Sequence, residues 1–90
     1  MIKINFTPAL QRFFPKIQSQ EVEAETVLEA LEMLEKKYPG INAYLRDESG
    51  RLRKHINIFI DQELIQDRQE LADPLDRKQE LLIFQALSGG

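Results

Sequence analysis

The segment TVLEALEMLEKKYPG, residues 26–40, predicts the one long helix of the chain and is the strongest indication of its fold. Thr26 is followed three residues later by Glu29, a spacing typical of the capping box that opens a helix. Two lysines in the last turn complement the helix dipole, and a Pro-Gly pair ends the helix. Apolar residues recur at helical spacing and form one stripe; they are Val27, Leu28, Leu31, Leu34 and Tyr38. We therefore expect this stripe to belong to the core.

Two strands are predicted before this helix. The segment MIKINF, residues 1–6, alternates apolar and polar side chains, which is typical of a half-buried strand. The segment QEVEAE, residues 20–25, predicts a second, more polar strand with Val22 and Ala24 facing inward. Between them Pro8 and Pro15 bound a loop or short turn. The two strands together suggest a hairpin with a long connection.

The strongest strand follows the helix. INAYL, residues 41–45, predicts one more helical turn, and the charged segment 46–54 predicts a loop. HINIFID, residues 55–61, then has three isoleucines on one face, with Asn57 and Phe59 on the other. DQEL, residues 61–64, reads as a tight turn with a short strand after it.

The last strand is predicted in ELLIFQAL, residues 80–87, where Leu81 and Ile83 share one face and Leu82 and Phe84 share the other. The order is therefore strand, strand, helix, strand, short strand, strand. A helix on one face of a mixed sheet is an α+β arrangement. In a chain of this length the order is similar to that of the β-grasp, the ubiquitin-like fold. That fold places the first and last strands side by side and parallel, so that the C-terminus projects from a sheet end.

Composition limits the possible functions. Ninety residues form one small domain, which we predict over residues 1–87, with residues 88–90 as a flexible reactive tail. The absence of cysteine excludes disulfides and thiolate chemistry, a single histidine cannot build a multi-histidine site, and we predict no metal site. A net charge of −3 argues against nucleic acid as the main partner. Neither a signal peptide nor a membrane span is recognisable, so we expect a cytoplasmic protein without a membrane partner.

The segments HINIFIDQELI, LADPL and ELLIF, followed by a terminal Gly-Gly, resemble the sulfur carriers of the molybdopterin-synthase small-subunit and thiamine sulfur-carrier family. The helical segment and the DESGRLRKHINIFID segment are most similar to the longer branch, which includes carriers of the molybdopterin type and a carrier of cysteine biosynthesis. The resemblance covers essentially the whole chain.

The resemblance implies that the reactive atom belongs to the α-carboxylate of Gly90. A partner adenylyltransferase of the ubiquitin-activating type would use ATP to adenylate it, and a sulfur donor enzyme would convert it to a thiocarboxylate. The chain itself would bind no cofactor and would be a co-substrate, or the small subunit of a synthase, and not an independent enzyme. A sulfur-accepting synthase or a larger synthase subunit would be the third partner. Ser88 and Gly89 would let the tail enter a narrow channel, because glycine has no Cβ.

Four apolar residues are candidates for partner docking. Phe59 and Phe84 point away from the helix side by their period, and the β-grasp order brings their strands together. Exposed aromatic side chains in a patch favour protein docking. Leu82 and Leu87 are expected to extend this patch next to the tail.

Three alternatives remain open from the sequence. The chain is either a sulfur carrier, a ubiquitin-like modifier joined through Gly90 to lysines of other proteins, or a β-grasp interaction module with an inert tail. Three carboxylates before and at the last strand are interpreted as solvated charges; they are Asp73, Asp76 and Glu80. The loop around Gly50 is interpreted as a solvated basic loop, with docking to a partner as the alternative; its cations are Arg46, Arg51, Arg53 and Lys54. His55 is interpreted as a surface residue at the start of a strand.

Overall fold

The computed structural model describes residues 1–12, 14, 16–76 and 79–85. Within them the chain forms five strands and three helices. The strands are β1 (Ile2–Phe6), β2 (Gln20–Val22), β3 (Ile56–Ile60), β4 (Glu63–Leu64) and β5 (Glu80–Gln85). The helices are α1 (Pro8–Gln11), α2 (Val27–Lys37) and α3 (Ile41–Leu45). The predicted order of elements is confirmed, and α3 is the additional helical turn predicted in INAYL.

The five strands form one mixed sheet in the order β2-β1-β5-β3-β4. β5 lies between β1, to which it is parallel, and β3, to which it is antiparallel. β2 and β4 are the edge strands, and each is antiparallel to its neighbour. The parallel pairing of the first and last strands is the arrangement that the sequence predicted, and it confirms the β-grasp fold.

The core lies between the sheet and α2. The isoleucines at 2, 4, 56 and 58 and both Leu81 and Ile83 turn inward and are almost fully buried. From α2, Val27, Leu31 and Leu34 meet them, so most of the predicted helix stripe is core. Burial of side chains of this size contributes about 1.5–3 kcal/mol each. Because the inner face of the sheet is packed against α2, the strands are held in position and the side chains on the opposite face have fixed places.

The helix begins as its sequence predicted. The Thr26 hydroxyl oxygen accepts a hydrogen bond from the Glu29 backbone N–H at 3.2 Å. The Glu29 carboxylate in turn accepts from the N–H of Glu25, one residue before the cap, at 3.1 Å. Two backbone donors that would lack partners at the helix start are therefore satisfied.

Two connections differ from their sequence interpretation. The stretch after β1, predicted as a loop or short turn, forms the one-turn helix α1, because Pro8 stands in the first turn, where a missing N–H costs no hydrogen bond. The short strand β4 lies inside DQEL instead of after it. Asp61 and Gln62 both have positive φ, of 47° and 79°, and they form a two-residue hairpin loop between β3 and β4. The sequence predicted a tight turn in DQEL, but without an Asn-Gly or Asp-Gly pair it did not show that Asp61 and Gln62 are the two loop residues.

We expect Gln62→Gly to stabilise the fold, because glycine adopts a positive φ without the steric cost borne by glutamine. The expected gain is about 1 kcal/mol, or roughly 4–8 °C in the Tm of a domain of this size. Asp61 is retained, since its carboxylate accepts a hydrogen bond from the Glu80 N–H at 2.9 Å. Gln66→Gly is the control, because Gln66 is exposed and its φ is not positive. Thermal unfolding that finds both variants destabilised would contradict this explanation.

Acid should destabilise the protein because three carboxylates accept backbone hydrogen bonds. Hydrogen bonds from the backbone N–H groups of Gly40 and Asn42 lower the pKa of Glu35. The pKa of Asp67 is lowered mainly by hydrogen bonds from the backbone N–H groups of Glu70 and Ala72. The third is Asp47, whose pKa is lowered chiefly by the Ser49 side chain. A pKa lowered in the folded state means that the unfolded state binds more protons. Their stabilisation is therefore complete above the ordinary pKa and is lost as the pH falls through the lowered values.

Thermal unfolding between about pH 7 and pH 3 measures this dependence, and we expect Tm to fall below about pH 4. Glu35→Gln should make the fall of Tm at acid pH less steep, because a neutral amide cannot gain a proton there. Glu32→Gln, on an exposed side chain of the same helix, should leave the limb unchanged. Equal acid limbs in the two variants would contradict the role given to Glu35.

No helix in the described part of the chain is both long enough and apolar enough to cross a membrane.

Candidate functional site

The face of the sheet that α2 leaves uncovered carries a row of apolar side chains. Phe59 on β3 lies opposite Leu82 on β5 and opposite Leu64 on β4. Phe84 follows two residues after Leu82 and therefore points to the same face. We call Phe59, Leu64, Leu82 and Phe84 the apolar patch. It brings together three of the four docking residues predicted from the sequence; the fourth, Leu87, lies outside the described residues.

The two aromatic rings of the apolar patch are in direct contact. The ring centroids of Phe59 and Phe84 are 6.3 Å apart, and their planes are nearly perpendicular at 85°. This edge-to-face geometry is favourable for an aromatic pair. Phe84 nevertheless remains 39% exposed, so a large part of its ring is open to a partner. The predicted proximity of the two rings is confirmed, whereas their role in docking stays a prediction.

Leu64 is the member of the patch that sequence reasoning missed. It is 56% exposed, one of the most exposed large apolar side chains in the described part of the chain. Its place in the row depends on the two-residue turn at Asp61 and Gln62, which folds β4 back along β3. The alternation of residues in a two-residue strand is too short to show a face. A correct prediction of the turn would have placed Leu64 beside Phe59.

Polar groups border the apolar patch on the β1 side. Asn5 lies opposite Leu82, and its amide donates to the Glu80 carboxylate at 3.4 Å. The Asn5 side-chain oxygen also accepts from the Ser19 hydroxyl at 2.8 Å. A shallow depression separates these groups from the hairpin turn and has Phe59 and Leu82 in its wall. An apolar centre with a polar border is the usual composition of a protein-docking surface.

The patch adjoins the last described residue of β5. Gln85, the last residue described before the C-terminus, pairs with Ile56 at the start of β3 and immediately follows Phe84. Its backbone N–H donates to the Thr7 hydroxyl oxygen at 3.3 Å, and the Thr7 N–H donates to Ile83 at 3.2 Å. These bonds fix the end of β5 between two neighbouring strands. The predicted reactive residues Ser88, Gly89 and Gly90, and the predicted boundary at residue 87, lie outside the described residues.

Two of the remaining candidates, Asp73 and His55, have structural partners. Asp73 accepts the backbone N–H groups of Gln66 and Asp67 at 2.9 and 2.8 Å. The described residues contain no group of three metal-ligating side chains that would hold an ion. His55 is half-buried, and its ring meets the edge of Tyr44 at a centroid distance of 6.3 Å. His55 directly precedes β3, as interpreted from the sequence, and α3 in addition places the Tyr44 ring against it.

Comparison with known proteins gives a match over nearly the whole chain. The sequence profile described as the ThiS family matches residues 8–90. A comparison with curated protein sequences finds no significant match.

Three solved structures illustrate the structural similarity. A chain of the crystal structure of the Amycolatopsis orientalis BexX/CysO complex is 26% identical with a TM-score of 0.85, and all of both chains is covered. The crystal structure of Mycobacterium tuberculosis CysO is 22% identical with a TM-score of 0.81, covering 97% of this chain and 100% of that one. A chain of the complex of subunits 1 and 2 of the Helicobacter pylori molybdopterin-converting factor is 16% identical with a TM-score of 0.62, covering 99% and 97%.

Proposed function

Because the chain belongs to the ThiS family, we propose that it is a sulfur carrier protein whose Gly90 carboxylate is activated by a partner enzyme and converted to a thiocarboxylate. The thiocarboxylate then donates its sulfur in cofactor synthesis, of the molybdopterin type, or in cysteine synthesis. The observation that supports this most strongly is the apolar patch, which ends at Phe84, one residue before the last described residue of β5. A partner seated on the patch would be next to the start of the tail.

The chemistry requires activation because a carboxylate is a poor acyl donor. Attack of the carboxylate on ATP forms an acyl-adenylate and releases pyrophosphate. A sulfide-level sulfur from the donor enzyme then attacks the acyl carbon, and AMP leaves with one of the two carboxylate oxygens. The product keeps one oxygen and gains one sulfur. The carrier supplies only its C-terminal carboxylate, and none of its side chains is needed as a base or nucleophile, so the partner provides the catalysis.

Protein partners are supported by the similar structures, two of which are complexes. The Amycolatopsis orientalis chain was solved with BexX and CysO together, and the Helicobacter pylori chain with both subunits of its converting factor. By analogy, we infer an adenylyltransferase of the ubiquitin-activating type, a sulfur donor enzyme, and a sulfur-accepting synthase or larger synthase subunit as partners. In this role the chain is a co-substrate or a small subunit and not an independent enzyme. Because the activation step consumes ATP, we propose that the chain acts in the cytoplasm.

Pyrophosphate exchange tests the activation step. The chain is mixed with the adenylyltransferase of its host, ATP, magnesium and labelled pyrophosphate, and incorporation of label into ATP is measured. We expect exchange that depends on the chain and disappears when Gly89 and Gly90 are deleted. The deletion variant should keep the thermal stability of the parent, because the core lies in other residues. Equal exchange with the deletion variant, or none with the intact chain, would overturn the proposal.

A further inference from the structure

We propose that four cationic side chains beside the start of the tail dock onto a carboxylate-rich surface of the adenylating partner. This inference rests on the function proposed above and specifies the charge of the partner surface. The four residues, which we call the cationic cluster, line one shallow cleft together with His55. They are Arg51, Arg53, Lys54 and Arg68.

Hydrogen bonds place the cationic cluster at the sheet end that holds Gln85. The Arg68 guanidinium donates from Nη2 to the carbonyl oxygens of Arg53 and Ile56, each at 2.8 Å. Ile56 is the residue of β3 that pairs with Gln85, the last residue described before the C-terminus. Arg68 therefore ties the loop that carries Arg53 to the strand beside the start of the tail.

The cationic cluster is also continuous with the apolar patch. Arg68 Nη1 donates to the side-chain oxygen of Asn57 at 3.0 Å. Asn57 lies opposite Phe84, on the face of the sheet that carries the apolar patch. One surface thus runs from the aromatic pair to the cations. Charged groups at the border of an apolar docking surface are the usual arrangement in protein interfaces.

Among the described residues that line this cleft, cations outnumber carboxylates, although Asp47 attracts Arg51 electrostatically. Asp47 is the carboxylate among the described residues that line the cleft, and it faces four cations there. Its oxygen Oδ1 is occupied by the Ser49 hydroxyl and the Ser49 N–H at 2.7 and 2.9 Å. Arg51, Arg53 and Lys54 are exposed. An opposing row of carboxylates would provide the missing negative charge.

The net charge favours a protein surface over nucleic acid as the occupant. The whole chain carries −3, so its long-range field repels a polyanion. A carboxylate-rich patch on a protein can match the local positive charge. Unlike an extended nucleic acid, it does not bring further negative charges close to the acidic remainder of the carrier. Charges at the border of an interface mainly raise the association rate and orient the encounter. Here the cationic cluster would orient the carrier so that the end of the sheet holding Gln85 meets the partner first.

Matched charge reversals test this docking role. Lys54→Glu and Lys36→Glu change the net charge equally, but Lys54 belongs to the cationic cluster and Lys36 is exposed in the last turn of α2. The association rate of each variant with the host adenylyltransferase is measured by stopped flow at a series of salt concentrations. Arg51→Glu is a second cluster variant, and thermal unfolding confirms that all variants are folded.

At low salt we expect the cluster variants to associate about tenfold more slowly and the Lys36→Glu control less than about twofold more slowly. High salt should remove the difference. Equal rates for Lys54→Glu and Lys36→Glu, or a difference that salt does not change, would overturn the inference. Binding of a single-stranded RNA probe that is lost in Lys54→Glu, without an effect on partner association, would also overturn it. Exchange activity of the unaltered chain is measured in parallel, so failure of the proposed function is distinguished from failure of this docking role.

Discussion

Gly89→Val should reduce adenylation of the chain about 100-fold, because small misplacements of a reacting group are that costly. For the proposed adenylation, the last residues must enter a channel of the partner enzyme that leads to the ATP phosphates. Three extended residues span roughly 10 Å, and glycine presents no Cβ along that path. Valine adds a branched side chain one residue before the reacting carboxylate. The measurement is the rate of pyrophosphate exchange at saturating ATP.

A graded series separates steric exclusion from a general effect on the chain. Gly89→Ala should lie between the parent and Gly89→Val, because it adds a single methyl group. Ser88→Ala is the control, since it removes a hydroxyl without adding bulk. All three variants should unfold at the parent Tm, because the buried core lies in other residues. Gly89→Val that is adenylated at the parent rate would refute the narrow channel.

Phe84→Ala should weaken binding to the adenylyltransferase about thirtyfold, which corresponds to about 2 kcal/mol for a central aromatic residue of an interface. Phe84 is 39% exposed and contacts Phe59 edge to face. Its removal takes away ring area available to the partner and also frees Phe59 from its fixed position. The measurement is the Kd by titration calorimetry. The fold should tolerate the change, because the ring lies on the outer face of the sheet.

Two variants control for general effects of the substitution. Phe84→Leu keeps an apolar side chain and should cost less than about threefold in Kd, since much of the buried area is retained. Met33→Ala removes a half-buried side chain of α2, which covers the opposite face, and should leave the Kd unchanged. If Phe84→Ala and Met33→Ala have the same Kd as the parent, the apolar patch is not the docking surface.

The long-range architecture could be predicted because local patterns were strong and consistent. The spacing of Thr26 and Glu29 predicted the start of α2, and the hydrogen bond between them confirms it. The alternation in β3 and β5 predicted which side chains face outward. The contact of Phe59 with Phe84 then follows from the antiparallel register of these two strands. Each prediction depended on a repeated pattern that extends over several residues.

Features that depend on single backbone conformations could not be predicted in this way. Leu71 has a φ of 58° and is fully buried, although a β-branched or bulky residue rarely adopts that conformation. Its position is set by Asp67, which accepts the N–H groups of Glu70 and Ala72 at 2.9 and 3.2 Å. The role of Leu64 was missed for a similar reason, because it depends on the turn at Asp61 and Gln62. The sequence predicted a tight turn in DQEL, but not which two residues adopt a positive φ, and that choice sets the position of β4.

The intact mass of the protein isolated from its own host shows whether Gly90 carries a thiocarboxylate. We expect a population heavier by the exchange of one oxygen for one sulfur, with the change located at Gly90 by fragmentation. Isolation of the Gly89→Val variant from the same host should give the unmodified mass, which controls for adventitious sulfur. A Gly90 joined to lysines of other proteins, with no thiocarboxylate in freshly isolated material supplied with ATP and host lysate, would contradict the account and identify a protein modifier instead.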